Sequence, residues 1–323
     1  MSDGESRGGI AQLLRSVGVD DPRVLDVDQL WANRRSRADE HWGVVPVGVN
    51  EHGELQEVIF RAKDFGGHGF HSAVIGTSGS GKSAFFETLI HGIALTHAPE
   101  TFNVAYVAPQ HKSVATRVAA LPHVVGLLEH SGESDVDAHE SMRASISDEL
   151  KRRYELFAGV GARDAIEYEE IRLAGRDVEP VPILLVIIEG YAQLCSAHPE
   201  WNDLIVQIGQ IGRSANVYFM LGGERLDLSS LQKAKSNIAF RIALRAEGAA
   251  ESREVIGSDA AYNLPPREPG QALLKTGEHL HAFRTWSMSE AGIEPNARVG
   301  DAVREALTAT GRTAPRQLFR AAG

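Results

Sequence analysis

The sequence predicts an α/β fold, a doubly wound and mostly parallel sheet with flanking helices. Three observations predict it. Short apolar runs recur at Val104–Val107, Ile183–Ile188, Val217–Leu221 and Ala239–Leu244, as expected of strands buried on both faces. Helix-spaced segments lie between those runs, so strands and helices alternate. A strand-like run, His71–Ile75, leads into a glycine-rich loop and then a long helical pattern, Ala84–His97.

Taken in order, residues 1–9 are small and polar and read as a disordered lead-in. Residues 10–32 carry helical spacing (Ile10, Leu13, Leu14, then Leu25, Leu30, Trp31) interrupted by Asp20-Asp21-Pro22. The basic stretch Arg34-Arg35-Ser36-Arg37 reads as a solvated linker, with a phosphate contact as the alternative. Gly43–Asn50, a turn at Glu51-His52-Gly53 and Glu54–Arg61 form a β-hairpin pattern. The parallel strands follow. The 323 residues, 43% hydrophobic and 24% charged, are ordinary globular composition with ample capacity for a core.

Charge and cysteine content exclude several classes. With 33 Lys and Arg against 43 Asp and Glu, the formal net charge is -10, unlike a protein that coats nucleic acid. The stretch Glu129–Glu179 holds 14 acidic and 7 basic residues, most simply solvated helix faces. The tail Arg298–Arg320 is mildly basic. The single Cys195 excludes a disulfide framework and a four-cysteine zinc site, and helix packing is its simplest role. No apolar core of a secretory signal follows the N-terminus, and the run Ile183–Ile188 is too short to span a bilayer. None of the 13 His falls in a zinc-protease pattern, and His68, His71, His279 and His281 read as loop and strand-surface residues.

Chemistry concentrates at Gly76-Thr77-Ser78-Gly79-Ser80-Gly81-Lys82-Ser83, which matches G-x-x-x-x-G-K-[ST]. Glycines allow backbone N–H groups to close around phosphate oxygens. Lys82 would reach the β- and γ-phosphates, Ser83 would take one Mg²⁺ position, and the following helix N-terminus adds partial positive charge. The ligands implied are therefore ATP and Mg²⁺. A phosphate-transfer site of this kind also needs a carboxylate at the end of a second strand. After Ile183–Ile188 that residue is Glu189, one methylene longer than Asp, and it is a candidate to order the Mg²⁺ water shell. The next position, where a general base would stand, is Gly190. Glu224, beyond Val217–Leu221, is either a γ-phosphate sensor or a loop residue paired with Arg225.

Several segments together resemble the FtsK/SpoIIIE-type ATPase domains of the EccC family, the motor proteins of type VII secretion. They are most similar to the first, membrane-proximal domain. The shared segments are Leu13-Leu14, Asp21-Pro22, Leu25-Asp26, Leu30-Trp31, Val45-Pro46, the phosphate loop, Ala94–Glu100, Leu121–Val124, Leu184–Ile188, Ile208–Ser214, Arg241–Arg245, Glu251–Arg253, Leu264–Pro266 and Pro269-Gly270. They span about residues 10–320. The resemblance implies a RecA/FtsK-like P-loop NTPase with a lead at 1–40, an ATPase domain at 41–290 and a linker helix and tail at 291–323. It implies ATP-dependent protein export, with neighbouring ATPase domains of a hexameric assembly and small helical-hairpin substrates as partners. Nucleic acid is not an implied partner. The implied location is cytoplasmic, with membrane attachment only through parts outside this chain.

The departures fall on catalytic positions. The family's Val-Asp-Phe-Lys-Gly-Gly is replaced by Val107-Ala108-Pro109-Gln110-His111-Lys112, its Asp-Glu pair by Glu189-Gly190, and its Gln-Arg sensor by Gly223-Glu224-Arg225. The arginine offered in trans falls at Ser141, with Arg143 two positions on. The resemblance therefore implies a module that binds ATP and turns it over slowly, because an arginine finger alone supplies about 10³–10⁵ in rate. A DNA translocase of the same superfamily and a nucleotide-stabilised scaffold without turnover are the alternatives. Arg213 either reaches a neighbour's phosphate or caps its helix. Trp31, Trp201 and Trp286 read as packing residues. Tyr262 lies in a segment resembling one near the family's nucleotide edge, where an adenine contact is one reading.

Overall fold

The computed structural model describes residues 9–32, 34, 36–108, 112–129, 136–225, 235–288 and 294–320. Of the expected lead-in at 1–9, residues 1–8 lie outside the described residues, as do Arg35 and the departure at Pro109-Gln110-His111, whereas Gly9 is buried at the start of the first helix.

Among the described residues, ten strands form one sheet. In chain order they are β1 (Val44–Val49), β2 (Leu55–Ile59), β3 (His71–Ile75), β4 (Phe102–Ala108), β5 (Val124–Glu129), β6 (Ile183–Glu189), β7 (Val217–Gly223), β8 (Ile238–Leu244), β9 (Gln271–Thr276) and β10 (His279–Thr285). Their spatial order is β2-β1-β10-β9-β8-β3-β7-β6-β4-β5. The run from β8 to β5 is parallel throughout. The four strands from β9 to β2 extend it antiparallel.

The predicted hairpin is β1–β2, and each of the five predicted parallel strands is present within two residues of its expected ends. Three strands exceed the prediction. In β5 the apolar run Val124-Val125 and Leu127-Leu128 is interrupted by Gly126, and β9–β10 mixes apolar residues with Gln, Lys, His and Arg, so neither shows a continuous apolar run. The tight Thr276-Gly277-Glu278 turn was the available signal for the second hairpin.

Helices cover both faces, as the double winding requires. On one face lie α1 (Gly9–Ser16), α2 (Val27–Trp31), α3 (Lys82–Thr96), α4 (Lys112–Val118) and, last in sequence, α10 (Glu294–Ala309). On the other lie α5 (Val136–Val160), α7 (Tyr191–Ala197), α8 (Glu200–Ala215) and α9 (Ala249–Ile256). A short α6 (Ala165–Leu173) packs Ala165 and Tyr168 onto Phe157 of α5, and Asp164 caps it by accepting from the amides of Ile166 and Glu167. Strand periodicity sorts the core. Ile183, Leu185 and Ile187 face the α3 layer, whereas Leu184, Val186 and Ile188 face α5 and α8.

The lead and tail are built into the same core. Leu13, Leu14 and Trp31 are buried with Val303 and Leu307, and the Trp31 indole donates to the Ala94 carbonyl at 3.1 Å. Arg37 of the basic stretch is not simply solvated. It stacks over Trp42 at 4.3 Å and donates to the Asn216 side chain. The end of the chain lies along β5, where Leu318 donates to Val125 at 2.7 Å and Leu127 donates to Phe319 at 3.1 Å. The acidic stretch is laced with short-range pairs on α5 and α6, including Arg143–Glu140, Lys151–Asp148 and Arg172–Glu169.

Candidate nucleotide-binding site

The loop between β3 and α3 wraps the carboxyl end of the parallel sheet, where open α/β folds hold their ligands. Its backbone is pinned from two neighbouring strands. The Gly76 amide donates to Gly223 at 3.2 Å and the Thr77 amide to Arg245 at 2.8 Å. From the far side, the Gly270 amide donates to the Ser80 carbonyl at 2.8 Å. Gly81 has φ +105°, and a Cβ there would stand 2.7 Å from the Gly270 nitrogen. Both the left-handed backbone and the close approach require glycine. Gly81→Ala is expected to lower the thermal unfolding midpoint and weaken nucleotide binding together, read by differential scanning fluorimetry with and without ATP. An unchanged midpoint would contradict the crowding.

Lys82 opens α3 and folds back, donating to the Thr77 carbonyl at 3.0 Å and also to Gly76. Burial lowers its pKa, while the nearby charges of Glu224 and Glu189 act in the opposite direction. The Ser83 hydroxyl donates to Oε1 of Glu189 at 2.6 Å. Glu189 ends β6 on the α3 face, in step with Ile187, and is only 1% exposed. Its Oε2 accepts from the Tyr106 hydroxyl. Burial, and then the Glu189 charge, push the Tyr106 phenol well above its usual range.

These residues line an open cleft of about 410 Å³. Thr77, Ser78, Gly79, Gly81, Lys82 and Ser83 form one wall. Glu189, Gly190 and Gln193 form another, and Gly223 with Glu224 closes the third side. Gly76 and Ser80 lie beneath the loop: a Cβ on Gly76 would meet the Ser80 hydroxyl at 2.4 Å. Glu224 is exposed at this cleft, and its neighbour Arg225 pairs instead with Glu247 at 3.0 Å and Glu251 at 3.4 Å.

Two neighbours escaped the sequence reading. Gln193 sits one helical turn beyond Gly190, on the same side of α7, a spacing that could have flagged it. Tyr106 is a mid-strand core position, and no local pattern announces its contact with Glu189. Behind it, Glu87 of α3 is fully buried and takes a two-pronged pair from Arg117 of α4, with one contact of 2.7 Å.

Other candidates stand apart from the cleft. Tyr262 is half exposed and is not among its lining residues. Arg213 lies 5.5 Å from the Phe70 ring, near the amino ends of β3 and β7, away from the loop. Arg143 is held by Glu140 on its own helix. Cys195 is buried in α7, and burial pushes its thiol up to about 12, which fits packing. His71 departs from the surface reading: it is a core residue of β3 whose Nδ1 accepts the Phe219 amide at 3.3 Å. His279 and His281 are exposed on β10.

A glycine-rich loop pinned between a parallel strand and a helix, with a serine hydroxyl on a strand-end carboxylate, defines a P-loop NTPase fold. The chain belongs to the FtsK/SpoIIIE family, whose sequence profile matches residues 30–228. It is 33% identical over 80% of its length to the ESX secretion system protein EccC of Thermomonospora curvata, covering 19% of that protein. It is 30% identical over 83% of its length to the ESX-4 secretion system protein EccC4 of Mycobacterium tuberculosis, covering 22% of it. The chain therefore spans about a fifth of the length of these curated relatives. The solved cytoplasmic domain of the T. curvata type VII secretion ATPase EccC superimposes with a TM-score of 0.84 at 31% identity, covering 94% of this chain and 34% of that one. Among the described residues, no helix is long and apolar enough to cross a membrane.

Proposed function

We propose that this chain binds ATP with Mg²⁺ and serves as an ATPase-type domain of a type VII secretion motor. The observation that carries the nucleotide reading is the pinned loop, with Lys82 and Ser83 opening a helix at the mouth of a cleft closed by Glu189. The residues suit the ligand. Gly79, at φ +73° with nothing within 4 Å of where a Cβ would stand, leaves the loop backbone open to the cleft, and the buried Ser80 hydroxyl has no hydrogen-bond partner among the described residues. Ser83 and Glu189 offer the hard oxygen ligands that suit Mg²⁺ or its water shell. In this reading Lys82 exchanges its loop carbonyls for phosphate oxygens, and loop amides at the α3 N-terminus hold the phosphates. Bound Mg²⁺ supplies charge neutralisation of the phosphates. Glu224 faces the same cleft as a γ-phosphate sensor.

Turnover is slow in this reading. Gly190 offers no base, and Arg143 is held on its own helix by Glu140. The same glycine favours a second reading, a nucleotide-stabilised scaffold with no turnover. Neighbouring ATPase domains of a hexameric motor and helical-hairpin export substrates are the proposed partners, on the strength of the likeness to EccC. The cytoplasmic face of the membrane is the proposed location.

Calorimetric ATP titration and steady-state phosphate release, each with and without duplex DNA, test the proposal. Lys82→Ala removes charge-assisted bonds to two phosphates, each worth about 1.5–3 kcal/mol, so affinity is expected to fall about 100-fold or more. Unchanged affinity would refute the phosphate-loop reading. Tight binding with no phosphate release would favour the scaffold. Strong stimulation by DNA would favour a translocase, against the net charge of -10.

A further inference from the structure

We infer that Tyr106 is a positioning residue for the Mg²⁺ site, holding one carboxylate oxygen of Glu189 so that the other faces Ser83 and the metal. This inference rests on the Mg²⁺–nucleotide reading above.

Tyr106 of β4 and Ile187 of β6 are direct register partners on adjacent parallel strands. Both face the α3 layer, and the two-residue period brings Glu189 to that same layer at the strand end. Tyr106 is fully buried, so its hydroxyl needs a partner inside the protein. It reaches past Ile187 and donates to Oε2 of Glu189, while Ser83 donates to Oε1 at 2.6 Å. A single carboxylate thus bridges the core and the phosphate loop.

The length of the side chain makes the anchor matter. A glutamate has one more rotatable bond than an aspartate, so its carboxylate sweeps a wider volume unless something holds it. The two donors differ in what a metal leaves them. Ser83 belongs to the loop and is the hydroxyl that would turn to Mg²⁺. Tyr106 belongs to the sheet and lies outside the cleft lining. Its hydrogen bond stays with Glu189 when Ser83 is recruited, and keeps the second oxygen from rotating towards the core. Near the phenol, the Glu87–Arg117 pair ties α3 to α4.

The test is a double-mutant cycle read by calorimetric ATP titration, once with saturating Mg²⁺ and once with EDTA. The variants are Tyr106→Phe, Glu189→Ala and the pair. Tyr106→Phe removes one oxygen and keeps the ring. It is expected to reduce the Mg²⁺-dependent gain in affinity about tenfold, the scale of one hydrogen bond to a charged group, and to leave the EDTA affinity unchanged. In the Glu189→Ala background, adding Tyr106→Phe is expected to change neither value. Equal losses with Mg²⁺ and with EDTA would mean a purely structural role and overturn the inference. So would an unchanged Mg²⁺ gain, or the same tenfold loss without Glu189. Wild-type protein that binds ATP indifferently to Mg²⁺ would overturn the inference and leave the nucleotide reading standing. Wild-type protein that binds no ATP would remove the reading on which it rests.

Discussion

Arg153→Met is expected to destabilise the fold by about 3–5 kcal/mol. Arg153 lies on α5 and is 2% exposed, among the largest fully buried side chains of the protein. Its guanidinium donates to the carbonyls of Pro182 and Ala215 at 2.8 Å each and to that of Asn216 at 3.0 Å. Its Nε donates to Glu149 at 2.8 Å. Methionine fills much of the volume but supplies no donor. The carbonyls of Pro182 and Ala215 then lose a charged partner, while Asn216 keeps the Leu184 amide at 2.8 Å. Glu149 keeps Arg152, also at 2.8 Å, so the loss falls chiefly on the carbonyls. These groups precede β6 and β7, the strands whose carboxyl ends carry Glu189 and Glu224. Urea unfolding of wild type and variant measures the effect. A loss below about 1 kcal/mol would show that water reaches these carbonyls.

Acidification from pH 7 to pH 4 is expected to cost a further several kcal/mol, because histidines are buried in the neutral state. Burial pushes both His71 and His123 down to about 4. His97 is driven well below its ordinary value, first by burial and then by Arg34 and His123. The hydrogen bonds agree with a neutral ring at His71, whose Nδ1 accepts an amide. Unfolded histidine takes up its proton near pH 6.5, whereas His71 and His123 in the folded state hold out to about pH 4. Between those values the unfolded state binds more protons, so stability rises with pH and is lost as pH falls. His71 and His123 each contribute about 3 kcal/mol to that loss. Glu149 extends the trend below pH 4.5. Burial alone would raise its carboxyl, but hydrogen bonds and charge from Arg152 and Arg153 hold it below its usual value. Its contribution is present above the unfolded carboxylate range and disappears as the group is protonated. Urea midpoints measured from pH 7 to pH 4 check this. A midpoint independent of pH across that span would show that the rings reach solvent.

The parallel strands, the hairpin and the phosphate loop were legible because each has a local signature. Continuous apolar runs mark the strands, turn residues mark the hairpin, and glycines before Lys-Ser mark the loop. Even the facing of Glu189 follows from counting twos along Ile183, Leu185 and Ile187. The lead segment was legible as helical but not as core. Leu13 and Leu14 are buried because α3 and α10, from distant parts of the chain, close over them. Strands β9 and β10 were hidden because antiparallel strands with one face towards solvent need apolar residues on the other face only.

What the sequence determined by itself is a local set of residues: a glycine-rich P-loop, a strand-end glutamate and a glycine after it. These are local, because a backbone turn and a strand end need only their own residues. What the tertiary structure decided is which side chains meet there. Tyr106 touches Glu189, Gly270 braces the loop, and Arg153 joins the starts of β6 and β7, 29 and 63 residues along the chain from it. Such contacts follow from strand order and register, which bring distant residues to one face, and a local pattern does not encode that order.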